Sequence, residues 1–166
     1  AYRLFVIAAG IVVALFLRHL ITHTRIGMLI RAGATHREMV TALGFNISLL
    51  FTLVFALGAA LAGLAGGLAG PLLAIEVGMG EQILILTFVV IIIGGIGSVK
   101  GALVAGLLVG IVDTLSRAFL PTVLKTMLPA ASADALAGSV SSMAIYIFMA
   151  VVLVVRPQGL YNAYGT

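Results

Sequence analysis

Long apolar runs recur along this chain, and they constrain its fold more than any single residue does. A helix needs about 20 predominantly apolar residues to cross a bilayer core, within a range of about 17–25. Five runs meet or approach that length: Leu4–Ile21, Ile47–Gly70, Ile83–Gly97, Ala102–Leu120 and Val140–Val155. The third is short unless it borrows flanking residues. Of the 166 residues, 63% are apolar and 8% charged, and mean hydropathy is +1.30. Soluble domains carry about 45–50% apolar and about 25% charged residues. A disordered chain needs low hydrophobicity and high net charge. Both classes are excluded. The predicted fold is an all-α membrane protein, a polytopic bundle of about five transmembrane helices. Arg3 and the Leu4–Leu17 run imitate a secretory signal, but the run ends in Arg18, His19, His23 and Arg25 instead of a small-residue cleavage site. It reads as a spanning helix.

The basic excess is nine Lys and Arg against five acidic residues. A nucleic-acid binder clusters such residues on a solvated face; here they punctuate apolar runs, so no nucleic acid is expected. With the Thr22–Asn46 connector placed inside, strict alternation puts Arg18, Arg25, Arg31, Arg37, Lys100 and Arg156 inside. Arg3, Arg117 and Lys125 fall outside. Enrichment of Lys and Arg on the cytoplasmic side sets topology, so the expected C-terminus is cytoplasmic. Glu76, Glu81 and Asp134 then fall outside.

Lipid gives helices no hydrophobic reason to associate, and small residues supply close backbone approach instead. Glycine occurs 20 times, often at four-residue spacing. Gly63–Gly67, Gly66–Gly70, Gly97–Gly101 and Gly106–Gly110 are candidate packing pairs. Gly94, Gly95, Gly97 and Gly101 fall within eight residues, where each would weaken a helix by about 1 kcal/mol relative to Ala. A tight helix–turn–helix suits them better. Lys100 is followed by Gly101 and Ala102, so the phosphate-binding Gly-Lys-Ser/Thr pattern is not met.

Asp113 falls inside the fourth run, and a carboxylate there is a functional candidate. Arg117, four residues later, shares its helix face, so the two form a candidate intramembrane ion pair. No other acidic residue lies in a run, which argues against a proton-coupled carrier. His19 and His23 are four apart without an evident third ligand, so no metal site is expected. Without Cys there is no thiol nucleophile, and no Ser/His/Asp set can be argued; no catalytic residue is expected.

The Thr22–Asn46 connector is long for a link between membrane helices. Residues 34–44 predict a short cytoplasmic helix, stopped by Gly44. Met39, Val40 and Leu43 share one side, with Thr35, His36, Arg37 and Glu38 as polar neighbours. Asn46 is placed to cap the next spanning helix. A short amphipathic helix suits a membrane surface or a groove on a partner.

Three groups of residues resemble one known family. Thr24-Arg25-Ile26-Gly27, Ile30-Arg31-Ala32 and Ala42-Leu43-Gly44-Phe45-Asn46 look like the inner loop of bacterial ABC-importer permeases for branched-chain amino acids. Gly94–Gly101 followed by Ala102-Leu103-Val104-Ala105-Gly106 looks like their glycine-rich segment. Arg156-Pro157-Gln158-Gly159-Leu160 looks like their C-terminal signature. His36 stands where an acidic or amide residue is common, and Phe45 where Ile or Val is usual. Family permeases are roughly twice this long, so residues 1–166 are expected to form one permease domain, the C-terminal portion of a longer one.

The resemblance implies a second permease subunit, cytoplasmic ATPase subunits and a periplasmic substrate-binding protein as partners, in the bacterial inner membrane. It implies that Arg31, Thr35, Arg37, Glu38, Met39, Val40, Leu43 and Gly44 couple the permease to an ATPase. ATP and Mg would be bound by that ATPase, with no cofactor in this chain. Relatives carry urea or short amides, so the substrate stays open. A stand-alone secondary carrier would need ion-coordinating residues near the midplane, and a purely structural subunit is the third alternative.

Overall fold

A computed structural model describes residues 1–161, apart from the side chains of residues 130 and 131. The expected cytoplasmic C-terminus, and the end of the expected 1–166 domain, lie outside the described residues. Seven helices follow in order: α1 (Tyr2–His23), α2 (Arg25–Thr35), α3 (Arg37–Ala42), α4 (Ile47–Ala69), α5 (Met79–Gly94), α6 (Val99–Met127) and α7 (Ala130–Val155). The protein is an all-helical, multi-pass membrane protein. Four helices are long and apolar enough to cross a membrane among the described residues: α1, α4, α6 and α7.

The fifth expected span differs. α5 starts four residues before the expected Ile83 but stops at Gly94 instead of Gly97, giving 16 residues. At 1.5 Å per residue it is about 24 Å long, short of a hydrocarbon core of about 30 Å. Gly95 and Gly97 take φ of +93° and +88°, which a continuing right-handed helix forbids.

The second difference is the expected connector Pro121–Ser139. Most of it is helix. α6 runs through Pro121 to Met127, and α7 begins at Ala130, leaving only Leu128 and Pro129 between them. Pro129 occupies the N-cap of α7, where a missing N–H leaves no helical bond unmade. Lys125 Nζ lies 3.0 Å from Asp134 Oδ1, tying the two helices beside the joint.

The chain divides into two compact units, one comprising Ala1–Val77 and one beginning at Gly78. In the first, α2 packs on the end of α1 and on α4, and α3 packs on α2 and α4. The Tyr2 hydroxyl donates to the Leu68 carbonyl at 2.8 Å. No residue of α1 is buried, and only Leu50 is buried in α4. In the second, α6 packs along α7 and against α5. Val89 and Ile93 of α5, Ala105 and Val109 of α6 and Ile145 of α7 form its core. Buried residues recur every four positions, as Gly101, Ala105 and Val109 on α6 and Ala133, Ala137, Ser141 and Ile145 on α7. Small residues in such a row let a helix approach its neighbour closely.

Candidate functional site

The Thr22–Asn46 connector folds into two short helices instead of one. α2 ends at Thr35 and α3 starts at Arg37, because His36 leaves helical geometry at φ −139°, ψ 83°. Ala34 and Thr35, expected in the single 34–44 helix, belong to the last turn of α2. Thr24 caps α2: its Oγ1 accepts from Gly27 N–H at 3.2 Å and donates to the Leu20 carbonyl. Gly27 lies so close to the Leu20 and Ile21 carbonyls that no Cβ fits. Gly33 is likewise buried, with Leu50 Cδ2 3.3 Å from the position a Cβ would take.

α3 ends in a Schellman turn. Gly44 N–H donates to Thr41 O at 2.9 Å and Phe45 N–H to Val40 O at 3.3 Å, with Gly44 at φ +86°. A left-handed residue at this position is the usual way to satisfy the last helix carbonyls, and glycine adopts it without a Cβ penalty. Asn46 Oδ1 then accepts from Leu49 N–H at 3.3 Å and caps α4. Gly44 therefore shapes the turn.

The apolar side of α3 divides. Val40 is only 4% exposed, packed inside its own unit and unable to face a partner as expected. Met39 is 64% and Leu43 71% exposed. The Arg37 guanidinium sits 4.6 Å from the centroid of the Phe51 ring, a cation–π contact that ties α3 to α4. Thr35 Oγ1 donates to the Arg31 carbonyl at 3.0 Å. Thr35, His36, Arg37, Glu38, Met39 and Ala42 line an open hollow of about 660 Å³. The loop is thus a helical corner with two projecting apolar side chains beside a charged hollow.

The glycines fall into two groups. Gly94 and Gly101 are in backbone contact: a Cβ on Gly94 would lie 2.6 Å from the Gly101 carbonyl carbon, and one on Gly101 would strike the Gly94 carbonyl. The close approach is therefore between Gly94 and Gly101, not Gly97 and Gly101. Gly97 contributes a left-handed turn. Ser98 caps α6 by accepting from Gly101 N–H at 3.0 Å. Gly63, Gly67 and Gly110 face open space, so they pack against nothing among the described residues. Gly106 makes only an ordinary contact, with Val90 Cγ1 3.9 Å from its would-be Cβ.

The C-terminal signature closes on that same glycine turn. Leu160 N–H donates to Ile93 O at 2.8 Å and Tyr161 N–H to Gly94 O at 3.2 Å. A Cβ on Gly159 would meet the Gly95 backbone at 2.6 Å. Gly159 itself sits at φ +82°. The segment thus supplies donors to the last carbonyls of α5, which have no partner within the helix. Two motifs some 60 residues apart in sequence form one clasp. Sequence reasoning noted each motif and missed their union; the signal it left was a second glycine-containing turn after an apolar helix.

On α6, Arg117 Nε donates to Asp113 Oδ1 at 2.9 Å, so the i, i+4 spacing does bring the pair together. Beside it, α5 and α7 add Gln82, Ser142 and Tyr146 around a small groove.

Residues 2–155 match the family described as the permease component of branched-chain amino acid transport systems. The chain belongs to that family. No curated protein and no solved structure gives a significant match. The matched stretch takes in the helical corner, the glycine turn and α6, and ends where α7 ends. A permease of this family is a membrane component of a transport system and not an enzyme, and the family implies further components of that system. His19 and His23 stack at 5.2 Å between ring centroids at the end of α1. Among the described residues, no cluster of three or more His, Asp or Glu could hold a metal ion.

Proposed function

We propose that this permease is the translocating subunit of an ATP-driven importer of branched-chain amino acids in a bacterial inner membrane. The family match over residues 2–155 carries the reading. The Lys and Arg distribution favours the cytoplasmic side for the α2–α3 corner. There the corner meets a cytoplasmic ATPase, which binds ATP and Mg. A second permease subunit completes the path, and a periplasmic binding protein delivers substrate. Met39 and Leu43 are the anchors, because exposed apolar side chains on a polar corner gain most from a partner surface. Glu38 lies at the rim, where charge steers orientation.

Replacing Met39 and Leu43 together by Asp in the complete importer tests this. ATPase co-purification should be lost while membrane insertion is retained. An ATPase that still binds as tightly, with transport intact, would make the corner a membrane-surface element. Uptake of urea in preference to leucine would move the substrate to the short-amide branch of the family.

A further inference from the structure

The joint between α1 and α2 gathers basic side chains that nothing in the chain balances. Arg18, His19 and His23 lie in the last turns of α1 and Arg25 opens α2; all four are exposed. No Asp or Glu occurs before Glu38. Among the described residues, none of the four is in an ion pair. Gly27 locks the joint, because its backbone rests on the Leu20 and Ile21 carbonyls with no room for a Cβ. The first turn of α2 is thereby pinned against the last turn of α1, and Arg25 stays with the other three.

Local bonds fix part of this surface. Thr22 Oγ1 donates to the Arg18 carbonyl, and a hydroxyl has one hydrogen to give. In the 2.6 Å contact between Thr22 Oγ1 and His23 Nδ1 the ring nitrogen is therefore the donor. That bond holds the His23 ring and leaves its Nε2 for an outside group. His19 stacks on His23, with ring centroids 5.2 Å apart and planes 10° from parallel. The face of α1 that bears the two imidazoles continues as Val12, Leu15 and Phe16, all exposed, since residues three and four apart share a side. Depth agrees with this division. The 22 residues of α1 span about 33 Å, close to a hydrocarbon core of about 30 Å. His23 then falls at headgroup level, and Arg18, just over one turn deeper, reaches that level with its long side chain.

We propose that the α1–α2 joint is a binding site for an anionic phospholipid. The lipid phosphate meets Arg18 and Arg25, with the imidazoles beside them. One acyl chain lies along Phe16, Leu15 and Val12. A phosphate accepts from several donors at once, and Arg offers them as a rigid fork. Charge decides the class of lipid. A zwitterionic headgroup brings its own cation, which an unbalanced basic cluster repels, whereas a headgroup of net negative charge is attracted as a whole.

The test counts lipids retained by the purified permease in native mass spectrometry, during titration with phosphatidylglycerol or phosphatidylcholine. Phosphatidylglycerol should bind about tenfold or more tightly, and Arg18→Gln combined with Arg25→Gln should erase that preference. Arg3→Gln combined with Lys125→Gln removes as much charge elsewhere and should keep it. If the Arg18 and Arg25 double variant fails to purify, Arg25→Glu decides. An acid in the first turn of α2 suits the helix dipole, so the fold is retained, yet it repels phosphate and should erase the preference as well. Equal affinity of the wild type for the two lipids overturns the site. So does a preference that survives at Arg18 and Arg25, or one lost as fully in the Arg3 and Lys125 variant, which would make general surface charge the cause. Displacement of the lipid by inorganic phosphate would mark a site for free anions and overturn the lipid assignment.

Discussion

The unit holding α1–α4 and the unit holding α5–α7 draw on the same apolar residues and glycine, yet only the second builds a core. On α4, Gly58, Gly63, Gly66 and Gly67 all face open space, and α1 buries nothing. Around the α5–α6 turn, Gly94, Gly95, Gly101 and Gly159 are each in backbone contact. Glycine spacing therefore permits close approach without causing it. Gly101 meets Gly94 because a four-residue turn folds α6 back along α5. The row on α6 closes on α5, where Ala105 and Val109 join Val89 and Ile93, with Ile145 of α7 completing the cluster. The glycines of α4 have no facing row within their unit, and lipid solvates such a surface as well as protein does.

The sharpest way to break this contrast is to put the same residue on both sides of it. Gly101→Leu should prevent folding of the α5–α7 unit, since its Cβ alone collides with the Gly94 carbonyl. Gly63→Leu should leave the folded yield in detergent unchanged. Equal yields for the two variants, measured by monodispersity after purification, would erase the distinction.

A smaller effect separates the two left-handed glycines that end segments. Gly159→Ala meets both a positive φ and the Gly95 backbone, and should cost about 1–3 kcal/mol. Gly44→Ala meets a positive φ but open space, and should cost about 1 kcal/mol. Thermal unfolding of the purified permease ranks them, and the reverse order would mean that the clasp is loose. The smallest effect belongs to Lys125→Ala. Its pair with Asp134 is largely solvated, so the loss should stay under about 0.5 kcal/mol, visible only as a slight shift in the same unfolding curve.

Local signals were readable wherever their cause lies within a few residues. Asn46 caps α4 and Gly44 stops α3 as expected, because a cap is a bond from a side chain to an N–H three residues on. Prolines misled the reading of residues 121–139. Pro121 sits within α6, where a membrane helix tolerates it, and Pro129 sits at a cap. Val40 was expected to face outward with Met39 and Leu43, and instead points into its unit. Val40 stands about 100° around α3 from Met39, on the side that packs on α2 and α4.

From sequence alone came the membrane class, the helical content, the family and the turns, because each depends on apolar length, on φ and ψ, or on capping over one turn of chain. Which faces meet was decided only in three dimensions. A helix that is apolar all round carries no preferred side, and in lipid no hydrophobic gradient selects one. The shape of the neighbour selects it instead. Hence Gly94 opposite Gly101, Leu160 on Ile93, and the Asp113–Arg117 pair beside Gln82 and Tyr146 emerged only when α5, α6 and α7 were brought together.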